Sequence, residues 1–468
     1  MLKVKNLRLK YPSADYKIFD GIDIEIKPKE KVLLLGPSGS GKSTLLNVLS
    51  GIVPELIDLP MKYDELQISK QSGVIFQDPD AQFCMPQVNE ELAFILENRQ
   101  VPRKEMDPLI LDALKRVHLN VNPKQNINQL SGGMKQKLAI AGTLLQNTDT
   151  LFLDEPTAML DVDATENLWT LLKDIWHDQT VLIVEHKVEH IWQHVDRVIL
   201  MNHQGQIIQQ GEPDYILNHY EDLLTEYGVW HPKAWDNAPK PLPLSETIPN
   251  TFSYQFNKGA IQRGKKKLYD VSNFEIKPGE WITLTGKNGT GKTTLFESMM
   301  QLLKYKGTMY YNERKLTQLK DAANHMYLVY QNPELQFIQN TVYDEIFVNY
   351  DHSDHEQAQT LTHKMLELLD LSHVKKQHPF ELSMGQKRRL SVATALSTNA
   401  DIILLDEPTF GLDSHNTFKL IRLFHERIQQ GQTIVMITHD PHIIQRYPTR
   451  HFEIENGALF EREVKHHD

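Results

Sequence analysis

The residues of this chain best suited to chemistry are two lysines, each set in a run of glycines. GPSGSGKST (Gly36 to Thr44) and GKNGTGKTT (Gly286 to Thr294) both fit G-x-x-x-x-G-K-[ST]. Each follows an apolar run, Val32 to Leu35 and Trp281 to Leu284, and the first leads into a helix-like stretch, Leu45 to Leu49. Strand, glycine loop and helix is the setting in which this pattern cradles phosphate. Gly36, Gly39 and Gly41, like Gly286, Gly289 and Gly291, let the backbone turn tightly and aim several N–H groups at one anion. The helix behind adds its positive end. Ser38 and Asn288 lie inside the loops, Thr44 and Thr294 just behind them. Lys42 and Lys292 would reach the β and γ phosphates of ATP, and the hydroxyls of Ser43 and Thr293 would bind Mg²⁺.

Carboxylates come next. Asp154-Glu155 and Asp406-Glu407 each end an apolar run, where one acid can hold Mg²⁺ or its water shell and its neighbour can orient or deprotonate an attacking water. Asp154 and Asp406 are assigned to the metal, Glu155 and Glu407 to the water. Gln77 and Gln331 could complete the metal shell or sense the γ-phosphate, and His186 and His439 could contact it.

These residues are positioned by a repeat. SGVIFQDPDAQF matches YLVYQNPELQF, TLFLDEPTAMLD matches IILLDEPTFGLD, and TVLIVEHK matches TIVMITHD. The offset stays nearly constant, at 292 − 42 = 250 for the lysines and 331 − 77 = 254 for the glutamines. Short apolar runs such as Leu151 to Leu153, Val181 to Val184, Ile402 to Leu405 and Ile434 to Ile437 predict buried parallel strands with functional loops at their carboxyl ends. Glu90 to Glu97 and Lys364 to Leu369 predict helices inserted in that core, and Thr341 to Asp344 resembles a capping box. The fold class is α/β, with a first domain over 1–228, a proline-rich linker over 229–250 and a second domain over 251–468. Pro232, Pro239, Pro241, Pro243 and Pro249 predict an extended linker.

Composition narrows the function. The net charge of −11 disfavours a nucleic-acid partner held by bulk electrostatics. The basic cluster Arg263 to Lys267 reads as a hairpin tip, and the terminal KHHD as a solvated tail. A single cysteine, Cys84, excludes an internal disulfide framework and points to a cytosolic compartment. The basic start MLKVKNLRLK lacks the apolar core of a targeting segment. No run of about 18 apolar residues occurs, so work at a membrane would leave the spanning to other chains.

LSGGMKQ and LSMGQKR, each shortly before an apolar strand and DEPT, resemble the signature of ATP-binding cassette (ABC) ATPases. With the glycine loops, glutamines, histidines and the aspartates Asp161 and Asp413, the resemblance covers nearly the whole chain. It implies two tandem P-loop ABC nucleotide-binding domains, each a parallel-sheet core with a helical subdomain. It also implies composite sites formed by intramolecular head-to-tail pairing: Ser383 and Gly385 would complete the site of Lys42, Ser131 and Gly133 that of Lys292. Tyr11 and Tyr254 sit where such proteins carry an aromatic that stacks on adenine. Two departures stand out, Met384 in place of a signature glycine and Met134 in place of a glutamine.

The pattern Q-[DN]-P-[DE]-x-Q-F resembles the ATPases of energy-coupling factor (ECF) transporters, which import vitamins or transition-metal ions. There it implies a groove for short helices of a transmembrane coupling subunit, beside a substrate-binding membrane subunit, at the cytoplasmic face of the membrane. Asp80, Glu90, Glu91, Glu334, Asp344 and Glu345 would make that groove acidic. Two cassettes in one chain resemble importers of thiamine or its hydroxymethylpyrimidine precursor, with cobalt or nickel open. The rival, a ribosome-associated ABC-F protein, carries a long charged helical linker, unlike the short proline-rich join here.

Overall fold

A computed structural model describes all residues except 13–15, 38, 70, 159, 161, 242–250, 351–353 and 465–468. Ser38, Asp161, Pro243, Pro249 and the KHHD tail lie outside the described residues.

The apolar runs fold as strands with no polar face, because both sides of each are covered. In the first unit, Lys31–Leu35 lies between Thr180–Val184 and Arg197–Met201, parallel to both. Thr150–Asp154 follows on the far side of Thr180–Val184, and Ser72–Ile75 closes the parallel set. Four neighbouring strands therefore deliver, from adjacent carboxyl ends, the glycine loop, His186, the Asp154-Glu155 pair and Gln77. The second unit repeats the arrangement with Trp281–Gly286, Thr433–Ile437, Ile402–Asp406 and Met326–Val329.

An antiparallel layer accompanies each core. Leu2–Leu9 pairs with Phe19–Ile26 in a four-stranded sheet separate from the six-stranded sheet that holds the parallel set. In the second unit, Tyr254–Arg263 and Lys266–Ile276 belong to one ten-stranded sheet that includes the parallel strands. The join is a single parallel pairing, Asp270 with Ala458. Arg263 to Lys267 does form a hairpin tip, turning at Gly264 with φ 62°.

The helical insertions are Val88–Asn98, Arg103–Arg116 and Gly132–Gln146 in the first unit. Val342–Phe347, His355–Leu368 and Met384–Leu396 take their places in the second. Leu92, Leu96, Ile110 and Leu114 bury fully or nearly so in the shared core, each contributing about 1.5–3 kcal/mol relative to exposure. At Thr341 the capping is half of what its sequence suggests. The hydroxyl accepts from the Asp344 N–H at 3.0 Å, but it also donates to the Asp344 carboxylate at 2.7 Å.

The chain divides into two compact units, Met1–Asp236 with Asp413–His415, and Asn237–Leu412 with Asn416–Asp468. Val229 to Asp236, expected as extended linker, is part of the first unit. The Trp230 N–H donates to His186 O at 2.9 Å and Trp230 O accepts from Val188 N at 3.1 Å. Val229 is buried in the core, and the Trp230 and Trp235 rings pack 5.2 Å apart. Large aromatic side chains outweigh the extended preference that Pro232 imposes.

Candidate nucleotide sites

Each glycine loop is folded around its lysine. The Lys42 ammonium is buried and donates to Gly36 O at 2.8 Å and Pro37 O at 2.9 Å. Lys292 donates to Gly286 O at 2.7 Å and Lys287 O at 3.4 Å. Only glycine fits at the start of these loops. A Cβ on Gly36 would lie 2.7 Å from Met201 O, and one on Gly286 would lie 2.8 Å from Ile454 O. Burial pulls Lys42 down to about 8, against the charges of Glu155 and Asp154. A polyphosphate would restore the charged form.

Beside each lysine, hydroxyl and carboxylate converge. Ser43 donates to Asp154 Oδ1 at 2.8 Å, and Thr293 to Asp406 Oδ2 at 2.6 Å. Burial raises Asp154 to about 6, with the Ser43 hydrogen bond opposing it, and it raises Asp406 against the Thr293 bond. A hard-oxygen pair at the mouth of a phosphate loop suits Mg²⁺, which takes one or two protein oxygens and completes its shell with phosphate and water.

Glu155 and Glu407 both have left-handed backbone, φ 46° and 52°. Each is pinned through its N–H, to Val184 O at 2.8 Å and Ile437 O at 3.0 Å. Strain of this kind in two equivalent acids marks a site where side-chain direction is enforced. Glu155 Oε1 lies 3.1 Å from His186 Nε2, and its Oε2 accepts from Gln77 Nε2 at 2.9 Å. Burial works to raise the Glu155 carboxyl, but the His186 hydrogen bond and charge, then Lys42, hold it below the usual range. In the second unit His439 Nε2 lies 3.5 Å from Glu407 Oε1. Gln331 is exposed, and its backbone oxygen accepts from Arg388.

Tyr11 and Tyr254 do not stand in equivalent places. The Tyr11 hydroxyl is 2.8 Å from Thr44 Oγ1, and its ring is exposed beside the phosphate-loop helix. Tyr254 is fully buried at the other end of its strand and cannot meet adenine. Strand register explains the error. Leu2 pairs with Ile26 as Tyr254 pairs with Ile276, and Leu9 with Phe19 as Ile261 with Tyr269. Counting two residues on from Leu9 and Ile261, Arg263 holds the place of Tyr11.

Ser131 and Ser383 cap the two signature helices, each hydroxyl accepting from the N–H three residues on at 3.4 Å. Gln386 answers by accepting from Ser383 N at 3.0 Å, a reciprocal cap that Met134 cannot form in the first unit. Added Cβ atoms on Gly133 and Gly385 would meet only ordinary contacts, at 3.6 Å and 3.8 Å. Nothing within their own units requires glycine there. Met384 is half exposed at the first turn.

Of the six acids expected to line a groove, Glu91 and Glu345 are buried instead. Glu91 Oε2 is buried and accepts from Cys84 N at 2.9 Å and Met85 N at 2.8 Å. Glu345 Oε2 does the same for Ile338 N at 2.9 Å and Gln339 N at 2.7 Å. Asp80 and Glu334 bond to Lys135 at 2.6 Å and Lys387 at 2.5 Å. These lysines, with Gln136 and Arg388, were missed as positioning groups. Gln136 Nε2 donates to Phe76 O at 3.3 Å and Arg388 to Tyr330 O at 3.1 Å, so each signature helix is bolted to its glutamine loop. The recurrence of Lys-Gln and Lys-Arg at one offset in both repeats was the available signal.

Phosphate loop, strand-end acids, a histidine beside the second acid and a serine-capped helix in each half define a two-cassette ATPase. The chain belongs to the ABC transporter family, whose profile matches residues 19–158 and 269–410, and it is an ABC transporter ATPase. It is 32% identical over 96% of its length to 88% of a Bacillus subtilis protein, YkoD, provisionally named an HMP/thiamine import ATP-binding protein. It is also 32% identical over 97% of its length to 89% of a Streptococcus agalactiae protein provisionally named an ABC transporter ATP-binding protein. Among solved structures, an archaeal ribosome recycling factor, aABCE1, in complex with ribosomal stalk protein aP1 aligns over 97% of this chain and 89% of its own. The TM-score is 0.65 and the identity 20%, a likeness of fold alone. Among the described residues, no helix is long and apolar enough to cross a membrane.

Proposed function

We propose that this chain is the ATP-binding subunit of an ECF-type importer, hydrolysing ATP at two composite sites to drive uptake of a vitamin or metal ion through separate membrane subunits. The observation that carries the composite-site reading is Gly133 and Gly385: both are glycines that their own units do not need, each at a serine-capped helix start able to receive phosphate. In this reading Ser383 and Gly385 close over the nucleotide of Lys42, and Ser131 and Gly133 over that of Lys292. Lys42 and Lys292 neutralise the β and γ phosphates. Ser43, Asp154 and Gln77, with Thr293, Asp406 and Gln331, would hold Mg²⁺, which supplies charge stabilisation to the transferring phosphoryl group. Glu155 and Glu407 each orient a water and accept its proton as it attacks the γ-phosphorus, with ADP leaving. His186 and His439 hold the γ-phosphate in line. Hydrolysis removes the phosphate that joins the halves and lets them part.

Import, with a thiamine precursor as cargo, is supported by the name of the B. subtilis relative. The cytoplasmic face of the membrane is the corresponding location, with a coupling subunit and a substrate-binding subunit as partners. The test is to purify the chain with the membrane proteins that accompany it and measure what the binding subunit retains. Retention of thiamine or hydroxymethylpyrimidine, with uptake abolished by Glu155→Gln/Glu407→Gln, is the expected result. Association with ribosomes and no membrane protein would refute the reading.

A further inference from the structure

One buried acid has no part in the chemistry described so far. Glu185 lies between Val184, the end of its strand, and His186, and only 3% of it is exposed. Its Oε2 accepts from the Thr157 hydroxyl at 2.6 Å, and its Oε1 accepts from the backbone N–H groups of His186 at 2.8 Å and Lys187 at 3.3 Å. Thr157 is two residues beyond Glu155. One carboxylate therefore joins the turn that aims Glu155 to the turn that carries His186. Burying such a group is costly unless its acceptors are filled. Here three donors fill them, while burial pushes the carboxyl up.

The second cassette lacks this arrangement. Thr438 stands at the corresponding position, and its hydroxyl accepts from Asp440 N at 3.1 Å, a bond within its own turn. The separation of histidine from acid differs in the same sense, 3.1 Å for His186 and Glu155 against 3.5 Å for His439 and Glu407. A fixed pair a few tenths of an ångström closer is the kind of difference to which a near-attack geometry responds.

We propose that Glu185 is a positioning residue for ATP hydrolysis in the first cassette, clamping Thr157 to the His186 turn so that Glu155 and His186 hold their spacing. The second cassette works without a clamp, so the two sites turn over at different intrinsic rates. The inference rests on the reading that Glu155 and His186 act on ATP.

The experiment uses the full chain carrying Glu407→Gln, so that turnover reports the first site. Glu185→Thr, which installs the second cassette's residue, lowers kcat about tenfold and leaves KM for ATP within about twofold. Glu185→Gln restores kcat, because its carbonyl still accepts the two N–H groups and its amide donates to Thr157. Thr157→Val, a change small enough to leave the fold intact, lowers kcat as far as Glu185→Thr, and the double variant is no slower than either alone. The proposal is overturned if Glu185→Thr lowers only the melting temperature with kcat within twofold, if Glu185→Gln is as slow as Glu185→Thr, or if the Glu185 and Thr157 effects multiply. Failure of Glu155→Gln to slow the same background would instead remove the catalytic assignment beneath it.

Discussion

Truncating Glu345 to alanine isolates what a buried acid does in what the sequence presents as a docking groove. Its Oε2 holds two backbone N–H groups, of Ile338 and Gln339. Each buried donor left without a partner costs about 1–3 kcal/mol. Because Ile338 is itself exposed, water can reach the loop and the lower end applies, giving about 2 kcal/mol for the pair. Opening of the loop should then become about thirtyfold more frequent, read as a matching loss of amide-exchange protection at Ile338 and Gln339. Glu345→Gln keeps one carbonyl oxygen for both donors and should lose less than about 1 kcal/mol. Both variants also differ from the native chain in their pH dependence. Burial raises the Glu345 carboxyl, with the two N–H groups opposing. The folded state therefore binds its proton more tightly than the unfolded chain does, and stability falls as pH rises from the unfolded carboxyl range through the folded value. Glu345→Gln and Glu345→Ala both remove that fall. Glu90→Lys, at an exposed position on the first unit's equivalent helix, should change stability by less than about 0.5 kcal/mol, so lost co-purification with membrane subunits there reports docking alone. Unchanged protection in Glu345→Ala, or equal losses in Glu345→Gln and Glu345→Ala, would refute the clamp.

Further outcomes follow from the nucleotide sites. In a Lys292→Ala chain, ATP affinity is flat below pH 8 and falls about tenfold per unit above it, because Lys42 at about 8 must regain its proton to meet phosphate; constant affinity from pH 7.5 to 9.5 in titration calorimetry would contradict this. Tyr11→Ala weakens ATP binding at the first site by about 1–3 kcal/mol of lost stacking. Tyr254→Phe leaves the second site's affinity unchanged and does not lower stability, since that hydroxyl is buried with no hydrogen-bond partner among the described residues. At that site Arg263→Ala is the change that weakens binding.

The parts legible in the sequence were those set by neighbours in the chain. Glycine spacing around Lys42 and Lys292, and apolar runs ending in acids, carry their own geometry, and both copies folded as the spacing required. Tyr254 failed because strand register is decided by the partner strand: position along the chain could not show that it matches Leu2. Glu91 and Glu345 look like solvated helix acids, yet loops ahead of their helices turn in and need an acceptor. Their recurrence three residues after Val88 and Val342 was the readable trace. Glu185 left no trace of that kind, since its partner Thr157 lies in another loop and the second copy has threonine in its place.

The sheets of the two units differ in a way that bears on how force moves through them. In the second unit the hairpin tip at Arg263 and the strand entering the glycine loop lie in one hydrogen-bonded surface, continuous through Asp270 and Ala458, where Asp270 N donates to Gly457 O at 2.9 Å. In the first unit the two sheets share no strand pairing among the described residues and meet through packed side chains such as Phe19, Val32, Leu34 and Leu45, with the Arg197 guanidinium donating across to Glu25 O at 2.7 Å. A backbone ladder resists shear because sliding breaks directional bonds, whereas an apolar seam yields by exchanging one contact for another. The second unit should resist sliding at that one backbone bridge, whereas the first relies on side-chain contacts to resist it.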